Sequence, residues 1–73
     1  MKLIPAIIER AEDGTYSVYC KNEIFSGMGV TIPEAKADMH RQMAVYKETA
    51  LKEGFKYPEF LDEEHVIEYT VDA

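Results

Sequence analysis

Thr31 and Glu34 stand three residues apart with Pro33 between them, and Gly54 follows Lys52 and Glu53. These residues bracket one long helix. The Thr31 hydroxyl can accept the Glu34 amide while the Glu34 carboxylate reaches back, and proline is tolerated in a first turn whose amides have no intrahelical partner. Gly54 suits the left-handed residue that ends a helix, Phe55 is placed for the hydrophobic contact that accompanies such an ending, and Pro58 bars continuation. The spacing predicts a helix from about residue 32 to about residue 53, roughly 33 Å at 1.5 Å per residue. On a helical wheel Ile32, Ala35, Met39, Met43, Tyr46 and Ala50 fall within one narrow stripe, with Glu34, Asp38, Arg41 and Glu48 opposite. One stripe buries against one layer, and the rest of a 73-residue chain must supply that layer.

The remaining segments read as strands. Ile4 to Ile8 is rich in β-branched residues, and the Asp13-Gly14 pair marks a hairpin turn. Tyr16 to Lys21 alternates with period two, placing Tyr16, Val18 and Cys20 on one face and Ser17, Tyr19 and Lys21 on the other. A third strand is predicted over Ile24 to Val30, where Gly27 and Gly29 suggest a bulge or a frayed end. His65 to Val71 alternates again as a fourth. The fold class is therefore α+β in the order β-β-β-α-β, a four-stranded sheet with one helix packed on one face, in a single domain over residues 1–73. Pro5 donates no ladder hydrogen bond, so it is expected at a strand entrance, an edge or a bulge.

Charge and composition exclude several functions. Eight basic against fourteen acidic residues leave a formal net charge of -6. Such a chain is repelled by nucleic acid, whose binding rests on Lys/Arg neutralising phosphates, so no direct nucleic-acid contact is expected. A 47% hydrophobic content is too high for a disordered tail. The one cysteine, Cys20, permits no internal disulfide, and no Cys/His zinc spacing is present. The opening apolar run is broken by Pro5 and followed by Glu9 and Arg10, too short for a signal or membrane segment, so a cytoplasmic location and no membrane partner are expected. A domain this small buries only about 60% of its unfolded surface, which favours self-association or a partner, with a homodimer the first expectation.

The order of these pieces resembles the HicB antitoxin family. The resemblance is carried by Leu3-Ile4-Pro5-Ala6-Ile7-Ile8-Glu9, the acidic Glu12-Asp13-Gly14 turn, Tyr16-Ser17-Val18-Tyr19, and Gly29-Val30-Thr31-Ile32-Pro33-Glu34-Ala35. It spans roughly the first two thirds of the chain. Asn22-Glu23-Ile24-Phe25 replaces the family's usual Leu-Pro-Gly-Cys segment, and Val30 stands where an Asp is usual. The resemblance implies a partial ribonuclease-H-like fold and an antitoxin role in a type II toxin-antitoxin system. Such a module neutralises a small basic, mRNA-cleaving, HicA-like toxin by masking its RNA-binding surface. Family members often carry a C-terminal DNA-binding domain, and this chain is expected to lack one, so operator binding is not carried over.

Acidic residues are the candidate partner surface: Glu9, Glu12, Asp13, Glu34 and Asp38 foremost, with Glu59, Asp62, Glu63 and Glu64 further along, steering a basic partner by long-range attraction. An ordinary solvated surface is the competing reading for any one of them. One helix covers one sheet face, so an uncovered apolar face is expected, and Ile4, Ile8 and Tyr19 on it, with Val45 on the helix facing away from the core stripe, are the candidates for an oligomer or partner contact. No metal site is expected in Asp62-Glu63-Glu64-His65, whose consecutive side chains splay apart. His40 reads as solvent-exposed and Cys20 as core packing. No nucleophile, phosphate loop or paired-ligand constellation is visible, so neither catalysis nor a cofactor is expected. Two other readings remain: a stand-alone homo-oligomeric regulatory or structural domain, and a small-molecule-binding domain using the open face with Tyr19 and Ile8.

Overall fold

The computed structural model describes residues 1–72. Five elements are those expected: β1 (Lys2–Arg10), β2 (Tyr16–Cys20), β3 (Ser26–Gly29), α1 (Ile32–Glu53) and β4 (His65–Val71). A short 3-10 turn over Glu59–Asp62 precedes β4. The sheet order is β3-β2-β1-β4, with β1-β2 and β2-β3 antiparallel and β4 parallel to β1. The chain leaves the sheet at one edge, runs down the helix and returns at the other edge.

Local chemistry sets the elements. Asp13 accepts hydrogen bonds from the Thr15 amide (3.0 Å) and hydroxyl (2.7 Å), and Gly14 takes the positive φ of 91° that closes the hairpin. At the helix start the Glu34 amide donates to the Thr31 hydroxyl at 3.2 Å. The reciprocal half of the cap differs from the expected box: the Glu34 carboxylate accepts from the Val30 amide, one residue earlier, at 3.2 Å. Gly54 ends the helix at φ 77°, and the amides of Gly54 and Phe55 both donate to the Ala50 carbonyl.

The core lies between the sheet and α1. Ile4, Ala6 and Ile8 of β1, Val18 and Cys20 of β2, and Ala35, Met39 and Met43 of α1 are buried together. Phe25 and Phe60 close one end, stacked edge to face at 6.0 Å, with Tyr46 against Phe25 at 5.5 Å. Cys20 packs its sulfur 3.8 Å from that of Met39. Burial of the Cys20 thiol, aided by the nearby Glu23 charge, pushes its pKa up and keeps it in the neutral form.

Three expectations are corrected. The third strand is shorter than predicted, because Phe25 turns into the core before it begins, although the Phe25 carbonyl still accepts from Cys20. Gly27 and Gly29 mark neither a bulge nor a fray: β3 pairs in continuous register from Tyr19↔Ser26 to Tyr16↔Gly29. Their role is steric. A Cβ on Gly27 would lie 2.3 Å from the Met39 amide nitrogen and 2.5 Å from the Ala35 carbonyl oxygen, and one on Gly29 would lie 2.7 Å from the Ala35 nitrogen. The two glycines let α1 rest backbone to backbone on β3.

Pro5 lies inside the central strand rather than at an edge or bulge. Along β1 the backbone of Lys2 and Ile8 bonds toward β4, through Glu64 and Asp72, while the Pro5 carbonyl accepts from Lys21 on the β2 side. Even positions therefore bond to β4 and odd ones to β2. The donor that Pro5 lacks would point at Lys21, one residue past the end of β2, so no ladder bond within β2 is lost.

Replacing Gly27 by Ala is expected to push α1 off β3 and cost about 2 kcal/mol, roughly a 10 °C fall in Tm for a domain of this size. Gly54→Ala, where nothing lies within 4 Å but φ is positive, is expected to cost less, about 1 kcal/mol. Thermal denaturation followed by circular dichroism ranks the two.

Candidate functional site: the uncovered sheet face

The sheet has one face under α1 and one without a covering layer. Pairing assigns the uncovered face: Ile7 lies opposite Tyr19, Glu9 opposite Ser17, Ser17 opposite Met28, Leu3 beside Val66 and Pro5 beside Glu68. Leu3, Pro5, Ile7, Tyr19 and Val66 thus form an apolar patch across the three strands β2, β1 and β4. Leu3 is 55% exposed and Val66 44%, and Pro5 and Ile7 are half-buried only by their neighbours. Carboxylates border the patch, with Glu9 at one end and Glu68 on β4. The Tyr19 hydroxyl donates to Glu9 at 3.0 Å, which fixes the ring across the patch, and that bond is the main cause of the raised Tyr19 pKa.

Of the residues expected on this face, Tyr19 is there and Ile4 and Ile8 are not. Ile4 and Ile8 are 3% and 2% exposed, on the opposite side of β1 beneath the helix. The physical reason is register: the hairpin pairs Ile8 with Val18 and Ala6 with Cys20, so the even residues of β1 share the core face. Val45 is exposed on α1 away from the core stripe, as expected, where it lines a groove of about 420 Å³ with Ile24, Met28 and Phe55 beside the β3 edge. The residues missed were Leu3, Pro5, Ile7 and Val66. Counting outward from the Asp13-Gly14 turn to the Val18–Ile8 pair would have placed the odd residues of β1 with Tyr19.

The acidic candidates divide between structural tasks. Glu9 accepts from Tyr19, Asp13 from Thr15, Glu34 from the Val30 and Asp38 from the Met28 amide (2.9 Å), the last also pairing with Arg41. Glu12 is exposed in the hairpin turn. Glu12, Asp13 and Glu34 sit at the sheet end where β1 finishes and α1 begins. Glu59, Asp62, Glu63 and Glu64 lie toward the other end, where Glu64 accepts from the Lys2 amide. There Asp62 is held by Lys47 at 2.5 Å and by the Tyr57 hydroxyl at 2.7 Å.

His40 is exposed, as expected, but has a partner: its Nε2 lies 3.0 Å from the Tyr69 hydroxyl, while the Lys36 ammonium sits 4.2 Å over the Tyr69 ring. His65 packs edge-on against Phe60, and its Nδ1 lies 2.9 Å from the Glu63 carbonyl. Among the described residues no group of three His, Cys, Asp or Glu side chains could hold a metal ion, and no helix is long and apolar enough to cross a membrane. Comparison with protein-family models, curated proteins and solved structures gives no match to this chain.

Hydrogen bonds from Thr15 hold the Asp13 carboxyl below its usual range, and those from Lys47 and then Tyr57 do the same for Asp62. A depressed folded-state pKa stabilises the fold above the unfolded value and is lost as pH falls through the folded one. The thermal midpoint is therefore expected to decline on acidification below about pH 4. The decline is shallower in the Asp13→Asn, Asp62→Asn double variant; an unchanged slope between pH 4 and 2 would refute the assignment.

Proposed function

We propose that this chain is a protein-binding module of the antitoxin type, whose uncovered sheet face receives a small basic protein. The observation that carries this reading is the apolar patch of Leu3, Pro5, Ile7, Tyr19 and Val66 bordered by Glu9 and Glu68, on a chain of net charge -6. A patch of this kind, apolar at its centre and charged at its rim, matches the anatomy of protein interfaces. The surplus of carboxylates selects a partner rich in Lys and Arg and raises its association rate. The resemblance to HicB antitoxins supports the same class of partner, a basic mRNA-cleaving toxin whose RNA-binding surface the acidic module covers. The role is binding rather than catalysis, and the working location is the cytoplasm, where such a toxin meets messenger RNA. Self-association into a homodimer, expected from the small size, uses a different surface and is argued below.

Co-expression with the small basic reading frame adjacent to this one tests the proposal. Growth arrest by that frame should be relieved by this chain and the two should co-purify, with an association rate that falls as salt rises. Leu3→Ser with Tyr19→Ser should weaken the complex about tenfold or more without a loss of fold, whereas Val45→Ser on the helix flank should not. Arrest that persists with the chain present and folded removes this reading.

A further inference from the structure

The sheet has two edges, and they are not alike. At β3 the outward Met28 amide is already bonded to the Asp38 carboxylate of α1 at 2.9 Å, and the strand spans only four residues. At β4 the edge is open. Lys2 donates to Glu64 and Asp72 donates to Ile8, so the even residues of β4 bond to β1. The amides and carbonyls of His65, Ile67, Tyr69 and Val71 therefore point outward, and among the described residues none has a hydrogen-bond partner. The seven residues of β4 include no Pro, Gly or Lys, the devices that usually blunt such an edge. α1 packs chiefly on β3 and β2 and reaches β4 through the Lys36 and His40 side chains at the Tyr69 ring, which make no hydrogen bond to the outward backbone groups of β4.

We propose that the β4 edge pairs antiparallel with the β4 edge of a second copy, joining two sheets into one of eight strands around a two-fold axis at Tyr69. Charge and side-chain chemistry choose the copy and the register. An axis at Glu68 would set two carboxylates opposite each other, which is unfavourable. An axis at Tyr69 places Ile67 opposite the partner's Val71 and Glu68 opposite the partner's Thr70, so within β4 no two carboxylates stand directly opposite each other. Val71, 62% exposed in the single chain, gains an apolar neighbour. The two-fold pairing uses the same edge of both copies, so the association is isologous and closes at two, and the four-residue β3 edge, with its Met28 amide taken by Asp38, offers little to extend it. It leaves the uncovered sheet face free and does not depend on the basic partner proposed above.

Light scattering on the purified chain at tens of micromolar should give twice the 8.4 kDa of one chain. Val71→Pro removes an outward amide while sparing the ladder to β1, and should give a folded monomer by circular dichroism; Ser26→Pro, on the β3 edge, should stay dimeric. In the unmodified protein, hydrogen exchange should find the Ile67, Tyr69 and Val71 amides protected at high concentration and exposed on dilution. A monomeric wild-type chain overturns the proposal. So does a dimer in which those amides exchange freely, or one that survives Val71→Pro and fails with Ser26→Pro.

Discussion

The close contact of α1 with β3 across Gly27 and Gly29 determines where everything else in this molecule sits. A strand whose two inward positions carry no side chain allows the helix backbone to reach the sheet backbone, and Ala35 and Met39 sit at the point of contact. The helix backbone at Ala35 and Met39 fills the space that Gly27 leaves, and the Met39 side chain runs on to the sulfur of Cys20 on the neighbouring strand. A helix drawn to one edge cannot lie centrally. It covers β3 and β2, and the far side of the sheet is closed by longer means: Phe60 at one end, and Lys36 and His40 reaching to Tyr69.

That offset links packing to function. On β3 the outward Met28 amide is taken by Asp38, a side chain of the same helix, whereas among the described residues no outward amide of β4 is taken. The face away from the helix keeps its apolar residues exposed because, among the described residues, α1 is the one covering element of any length. A small domain of this design leaves exposed what its helix does not reach, and the surfaces proposed for partners lie there.

The helix was legible almost to the residue, because Thr31, Pro33, Glu34 and Gly54 act locally and their chemistry needs no knowledge of the fold. The strands themselves were legible, β2 and β4 as alternation and β1 as a β-branched run, while the order in which they lie in the sheet was not. What alternation cannot provide is which of two apolar faces meets the helix. Along β1 both faces are apolar, so Ile4 and Ile8 looked as available to a partner as Leu3 and Ile7, until pairing with Val18 and Cys20 assigned them to the core. Pro5 misled for a related reason. Its missing donor matters only on the side where a strand continues, and β2 stops at Cys20. The glycines of β3 were read through their backbone freedom, the commoner reason for glycine in a strand, whereas their service here is the absence of a Cβ.

The acidic residues raise the question of whether one carboxylate can serve both the fold and a distant partner. Asp13 and Glu34 take their hydrogen bonds from neutral amides and a hydroxyl, which hold the group in place without cancelling its charge. Glu9 is fixed in the same way by a phenol. Asp62 is different, since Lys47 neutralises it, and Asp38 is likewise paired with Arg41. The field available to the proposed basic partner therefore comes from the carboxylates bound to neutral donors and from those facing solvent, such as Glu12 and Glu68. Orientation by a neutral donor makes such a charge more effective, because a fixed carboxylate meets its partner without first losing rotamer freedom. Local hydrogen bonding and long-range steering are then two uses of the same side chain, and finding the first is no argument against the second.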